Sequence, residues 1–130
     1  MITFDSSALT KLVIREQETA ALRDWLVEHD AATWSASSLC LVEVVRVVSR
    51  VAVGAVPAAR RLLAGMDFVP ITRGLIEAAA DLGPPSLRSL DAIHLATALT
   101  LGPALEAFVV YDERLAQAAT DAGVPVVAPS

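Results

Sequence analysis

The chain has 130 residues, of which 55% are hydrophobic and 19% are charged, with a net charge of −5 and an isoelectric point of about 4.8. This length suits one domain that buries its own core, and we expect a single domain over residues 1–130. The acidic balance argues against tight non-specific binding to nucleic acid through a basic face, although it does not exclude an enzyme that touches nucleic acid locally.

We expect neither a membrane anchor nor an export signal. No stretch reaches the roughly 18 to 20 apolar residues that span a bilayer. The segment Met1 to Asp5 has neither a basic nor an apolar leader region. Cys40 is the only cysteine and can form no internal disulfide, which suits a reducing compartment. These features predict a cytoplasmic protein without a membrane partner.

Short apolar runs alternate with helical patterns along the first part of the chain. Ile2-Thr3-Phe4 predicts a strand that ends at Asp5, and Ser6-Ser7 offers the N-cap of a first helix. A second helix is predicted from about Glu16 to His29, followed by a candidate strand at Thr33-Trp34-Ser35.

The valine-rich segment from Leu39 to Val53 favours a strand by composition and a helix by its charges. Glu43, Arg46 and Arg50 lie three and four residues apart, so on a helix they share one stripe. On a strand, Glu43 would point opposite to both arginines. We therefore predict a helix that ends near Gly54.

The second part of the chain repeats the alternation. Its predicted elements are a helix from Pro57 to about Gly65, a strand over Phe68–Ile71, a helix to Leu82, a helix from Ser89, a strand over Ala107–Tyr111, a helix capped by Gly123 and an edge strand over Val124–Val127. This order predicts an α/β domain with a mostly parallel central sheet of four to five strands flanked by helices.

The helix that starts at Ser89 carries one charge inside an apolar run. Ser89 is expected to provide the capping hydroxyl. Asp91 is either a first-turn carboxylate favoured by the helix dipole or a group held in a cleft for chemistry. The apolar positions recur at helical spacing and are expected to face the core: Leu90, Ile93, Ala96 and Thr97.

Four carboxylates are predicted to point into one crevice at the sheet edge. Asp5 and Asp112 each follow a strand directly, at the carboxyl edge where parallel sheets place ligands. Glu43 and Asp91 lie near the starts of helices. Each acid also has a structural interpretation: Asp5 and Asp112 as helix N-caps, and Glu43 as the partner of an arginine on its own helix.

Like charges at this spacing require neutralisation. Two carboxylates roughly 5 to 6 Å apart repel by about 3 kcal/mol at an effective dielectric near 20. Either some of them take up protons, or divalent cations lie between them. All-oxygen ligands suit Mg²⁺ or Mn²⁺, and a metal held in this way can activate water for attack on a phosphodiester.

Four segments carry a family pattern, in chain order: Asp5-Ser6-Ser7-Ala8-Leu9, Leu41-Val42-Glu43-Val44-Val45, Leu87 to Ala98, and Tyr111-Asp112-Glu113-Arg114-Leu115. Together they resemble the PIN domain, and in particular the ribonuclease toxins of VapBC toxin–antitoxin modules. The resemblance runs over nearly the whole chain, and the segment around Asp91 is its most specific part.

The resemblance implies a Mg²⁺- or Mn²⁺-dependent endoribonuclease that cleaves RNA and arrests growth until a cognate antitoxin blocks its site. It implies Asp5, Glu43 and Asp91 as catalytic, metal-binding acids, with Asp112 as the fourth. It also implies that Ser7 supports the site from behind the first acid.

The chain departs from the family pattern two residues before its fourth acid. Family members often carry Thr or Ser there, and this chain has Val110. We therefore expect Asp112 to matter less than the other three acids. The alternative function is a catalytically inactive PIN-like module that binds RNA or protein, and the intact acids argue against it.

Partners are predicted from the composition as well. A hydrophobic content of 55% exceeds what a domain of this size needs to bury, so we expect an apolar helix face to be covered by a second copy of the chain and by the antitoxin.

His94 is expected to be structural, because a metal-activated water needs no imidazole base. No single arginine is singled out as an RNA contact among Arg46, Arg50, Arg60, Arg61 and Arg88.

Overall fold

The computed structural model describes residues 1–130 and contains five strands: β1 (Ile2–Phe4), β2 (Trp34–Ser37), β3 (Asp67–Val69), β4 (Ala107–Val109) and β5 (Val126–Val127). They form one sheet in the order β3-β2-β1-β4-β5, and every neighbouring pair is parallel. In the central strand, Phe4 is aligned with Ala36 on one side and with Val109 on the other. The predicted α/β class with a parallel sheet is confirmed.

Seven α-helices flank the sheet: α1 (Ser6–Thr10), α2 (Thr19–Glu28), α3 (Cys40–Val51), α4 (Val56–Ala64), α5 (Arg73–Ala80), α6 (Ser89–Leu101) and α7 (Glu113–Asp121). Two short 3₁₀ turns lie at Val53–Ala55 and Gly102–Ala104. No helix in the structure is both long enough and apolar enough to cross a membrane.

The core lies around β1 and β4, which are buried along their whole length. One apolar cluster includes Phe4 and Val44 of α3, and a second includes Phe108 and Leu115 of α7. Burial on both faces explains why these strands are continuous apolar runs. Because β1 and β4 are neighbours, the residues that follow them are held at the same edge of the sheet.

The start of α1 differs from the prediction that Ser6 or Ser7 caps it. Asp5 is the N-cap: its backbone is extended, and its side chain accepts a hydrogen bond from the Ala8 N–H. The two serines are the first residues of the helix itself. The structural interpretation of Asp5 is therefore correct, and it leaves both serine hydroxyls available for other contacts.

The start of α6 also differs from the prediction. Ser89 is the first helical residue, and Arg88 occupies the N-cap position without a side-chain capping bond. Leu90 is 48% exposed, whereas Ala96 and Thr97 are buried as expected. Within the same first turn, Asp91 lines a cleft and Ala92 is buried, whereas Leu90 is exposed to solvent.

Other boundaries shift by a few residues. The second helix begins at Thr19 rather than near Glu16, and β4 ends at Val109 rather than Tyr111. The last strand covers only Val126–Val127, because Pro125 has no N–H to extend the ladder. None of these shifts changes the order of elements.

Candidate active site

A cleft of about 350 Å³ opens at the carboxyl edge of the sheet and is lined almost entirely by polar side chains. All four acids singled out in the sequence line it: Asp5 after β1, Glu43 on α3, Asp91 on α6 and Asp112 after β4. Ser7 lines it as well. The topology explains the convergence, since strand ends and helix starts meet at one edge of a parallel sheet.

Asp5 is the most buried of the four acids, with 5% of its surface exposed. The Ser7 hydroxyl donates to its carboxylate, with Oγ 3.0 and 2.9 Å from the two oxygens, and the Ala8 N–H donates to Oδ1 at 2.9 Å. Burial raises the pKa of Asp5 against the opposing effect of these donors, and the charge of Asp91 raises it further. The hydrogen bonds from Ser7 and Ala8 fix the orientation of the Asp5 carboxylate.

Glu43 is held by side chains from two other helices. Ser6 Oγ donates to Glu43 Oε1 at 2.5 Å, and His94 Nε2 lies 2.7 Å from the same oxygen. Burial alone would raise the pKa of Glu43, but the contacts with His94 and Ser6 outweigh it and lower the pKa. Glu43 makes no ion pair with Arg46 or Arg50, so that interpretation is wrong.

His94 lines the cleft, which the structural role predicted from the sequence does not anticipate. It is buried on α6, and its Nδ1 makes no hydrogen bond. Burial alone would lower its pKa, but the neighbouring Cys40 and Glu43 raise the pKa of His94 to about 10. The sequence feature that indicates a place in the cleft is the position of His94 three residues after Asp91, since this spacing puts both side chains near one side of the helix.

Arg88 lies between the remaining two acids. Its Nε is 3.4 Å from Asp91 Oδ2, and its Nη2 is 3.7 Å from Asp112 Oδ2. Burial raises the pKa of Asp91; Arg88 opposes the effect, and the charges of Asp112 and Glu43 add to it.

Asp112 has a structural role as well. Its Oδ1 accepts a hydrogen bond from the Leu115 N–H at 2.9 Å and so caps α7. Both interpretations of Asp112 therefore describe the same side chain: it is a helix cap, and it lines the cleft.

The donor set fits a hard divalent cation. The four predicted acids line one cleft together with Glu16, and the charges of Asp112 and Glu43 add to the effect of burial in raising the pKa of Asp91. A bound cation of the Mg²⁺ or Mn²⁺ type would relieve that repulsion. In the structure as it stands, no three acidic, His or Cys side chains are arranged to hold a metal ion.

Comparison with known proteins shows which family has this fold. The family model of the PIN domain matches residues 2–121. The crystal structure of Mycobacterium tuberculosis VapC20, described as a sarcin–ricin loop cleaving toxin, aligns with a TM-score of 0.77 at 20% identity and covers 99% of this chain and 100% of that one. At this identity the likeness concerns the fold alone.

Three curated relatives from Mycobacterium tuberculosis are similar in sequence over nearly their whole length. Ribonuclease VapC47 is 47% identical, covering 99% of this chain and 97% of the relative. Ribonuclease VapC35 is 44% identical, with coverage of 99% and 97%, and Ribonuclease VapC46 is 42% identical, with coverage of 99% and 98%. The chain therefore belongs to the PIN domain family, in the VapC group.

Proposed function

We propose that this protein is an endoribonuclease that depends on Mg²⁺ or Mn²⁺ and acts as the toxin of a toxin–antitoxin pair. The observation that carries the proposal is the convergence of four carboxylates on one open cleft at the edge of the sheet. The sequence identity of 42–47% to three proteins named as ribonucleases supports RNA as the substrate.

In this proposal the four acids divide into fixed and adjustable ligands. Asp5 is held by Ser7 and by the N-terminal backbone of α1, so it forms a rigid floor for the site. Asp91 is partly exposed and paired only loosely with Arg88, so it is the acid that rotates toward a cation, whereas Asp112 is held at Oδ1 by the Leu115 N–H and has only Oδ2 available. A bound metal would activate water and stabilise the charge that develops on the phosphodiester.

Glu43 is the second fixed ligand. Ser6 and His94 both bind its Oε1, which leaves Oε2 as the oxygen free to face a cation. The pair of contacts stops the long Glu side chain from sampling other rotamers, and this preorganisation favours metal binding.

The substrate is proposed to be single-stranded or looped RNA. Unstacked RNA exposes its phosphodiester and base edges to a shallow site, whereas a regular duplex does not. The acidic surface makes extended backbone binding unfavourable, so recognition is expected to be local to the cleft.

The proposed partners are a second copy of the chain and the cognate antitoxin. Several large apolar side chains are more than half exposed: Val27, Val42, Val51 and Val53. Their exposure supports coverage by another chain.

Light scattering at micromolar concentration is expected to show a dimer, and co-expression with the neighbouring small open reading frame is expected to yield an inhibited complex. A monomer that no neighbouring product binds would contradict this part of the proposal.

The catalytic assignment is tested with purified protein and a labelled single-stranded RNA. We expect cleavage with Mg²⁺ or Mn²⁺ and its loss in Asp5→Asn, Glu43→Gln and Asp91→Asn. The matched control is Asp81→Asn, which neutralises an exposed acid at the end of α5 outside the cleft. Full activity of the Asp5 and Asp91 variants would rule out the enzyme and leave the alternative, an inactive PIN-like binding module.

A further inference from the structure

Arg88 is the only lysine or arginine that lines the acid cleft. Its side chain is 72% exposed, and both distances to the neighbouring carboxylates exceed those of a good charge-assisted hydrogen bond. Ion pairs of this exposed, loose kind contribute little to stability. The Arg88 guanidinium therefore lines the cleft but makes no close structural contact.

A second cavity, of about 470 Å³, adjoins the acid cleft. Arg88 and Asp112 line both cavities, and Tyr111, Glu113 and Arg114 complete the second one. Arg114 lies in the first turn of α7, is exposed and makes no salt bridge. Arg88 and Arg114, neither of which makes a close ion pair, thus line the same cavity beside the carboxylates.

We propose that Arg88 and Arg114 form a phosphate-binding subsite for the RNA strand, adjacent to the phosphodiester that the acid cleft would cleave. This inference rests on the proposed function. A guanidinium is always charged and matches two oxygens of a phosphate with parallel N–H donors. A polyanion that approaches four carboxylates needs local positive charge, and these two residues supply it in a chain whose net charge is −5.

The same geometry links the subsite to metal binding. A divalent cation between the acids would neutralise Asp91 and Asp112, which are the present partners of Arg88. Neutralised carboxylates attract the guanidinium less, so Arg88 becomes free to turn toward a phosphate. Arg114 needs no such release, because it has no carboxylate partner.

The test measures RNA binding by fluorescence anisotropy, with a labelled single-stranded oligonucleotide and the cleavage-defective Asp5→Asn background. Arg88→Gln and Arg114→Gln are each expected to raise the Kd by about tenfold, the size of one lost charge-assisted hydrogen bond. The slope of log Kd against log salt is expected to fall by about 0.7 for each arginine removed. In the otherwise unaltered protein, the KM for RNA is expected to rise more than kcat falls.

The matched control is Arg73→Gln, which removes an exposed arginine that pairs with Glu77 on α5 and lines neither cavity. If the double variant of Arg88 and Arg114 binds RNA as the control does, the subsite is wrong even if the protein cleaves RNA. If Arg88→Gln only tightens Mn²⁺ binding, Arg88 merely neutralises the acids and the inference is also wrong. Weakened RNA binding in a protein that does not cleave would keep the subsite and refute the nuclease.

Discussion

His94 Nε2 lies 2.7 Å from Glu43 Oε1, and this contact joins α6 to α3 across the cleft. Ser6 of α1 binds the same oxygen, so three helices meet at one carboxylate. The contact is made between a buried ring and a partly buried acid, where hydrogen bonds of charged groups are strongest. It fixes one of the proposed metal ligands before any metal arrives.

Replacing His94 is therefore expected to loosen Glu43. His94→Ala leaves the carboxylate with Ser6 alone and should cost about 1–3 kcal/mol in the free energy of unfolding, because a buried hydrogen-bonding partner is lost. It should also weaken Mn²⁺ binding, since Glu43 regains rotational freedom. Urea unfolding and titration calorimetry measure the two effects.

Thr97→Ala is the control for that experiment. Thr97 is buried on the same helix but bonds only to the Ile93 carbonyl, so its loss leaves Glu43 in place. Equal Mn²⁺ affinity in the two variants would show that His94 does not position Glu43. If His94→Ala fails to fold, Ser6→Ala removes the other contact to Oε1 and is expected to weaken Mn²⁺ binding in the same direction.

The pKa values of Asp5 and Asp91 are raised first by burial and then by neighbouring carboxylates, which predicts that ionising these two groups costs the metal-free protein stability. A carboxyl whose pKa is higher in the folded than in the unfolded state costs stability at neutral pH. That cost disappears as the pH falls through the folded pKa toward the ordinary value of 3.8. Asp5→Asn and Asp91→Asn should thus raise the Tm in EDTA at pH 7, with a smaller gain near pH 4.

Asparagine keeps the side-chain oxygen that caps α1, so the Asp5 variant tests charge and not the loss of a cap. Thermal unfolding followed by circular dichroism at the two pH values provides the measurement. A lower Tm for Asp91→Asn than for the wild type at pH 7 in EDTA would be inconsistent with repulsion in the cleft. Asp81→Asn serves again as the control and is expected to leave the Tm nearly unchanged.

The two roles of Asp112 are separable by substitution. Asp112→Asn retains an oxygen for the Leu115 N–H and should leave stability nearly unchanged, whereas Asp112→Ala should lose about 1 kcal/mol with the helix cap. For RNA cleavage we expect Asp112→Asn to reduce the rate less than Asp91→Asn does, given Val110 two residues before Asp112. Equal loss of cleavage in Asp112→Asn and Asp91→Asn would assign Asp112 a full ligand role.

Much of this architecture is predictable because it depends on local sequence. Continuous apolar runs such as Ala107–Val109 mark buried parallel strands, and the charge spacing of Glu43 with its arginines correctly favours a helix. Asp5 and Asp112 meet because each directly follows a strand, and the carboxyl ends of parallel strands share one edge.

The contacts that finish the site depend on packing between distant segments. Glu43 and His94 are 51 positions apart, and only the placement of α3 beside α6 brings them together. No sequence periodicity distinguishes a histidine that packs in a core from one that binds a carboxylate. Leu90 likewise has the spacing of a core residue but is exposed, whereas Ala92 in the same turn is buried.

The dependence of RNA cleavage on metal occupancy tests the proposed nuclease most directly. Metal-free protein is titrated with Mn²⁺, and the cleavage rate of a single-stranded RNA is compared with Mn²⁺ binding measured by calorimetry in the same buffer. We expect the rate to follow the occupied fraction, with its midpoint at the Kd for Mn²⁺, and to vanish in EDTA. Cleavage at an unchanged rate in EDTA, or no detectable Mn²⁺ binding by the wild type, would contradict a metal-dependent site at the four carboxylates.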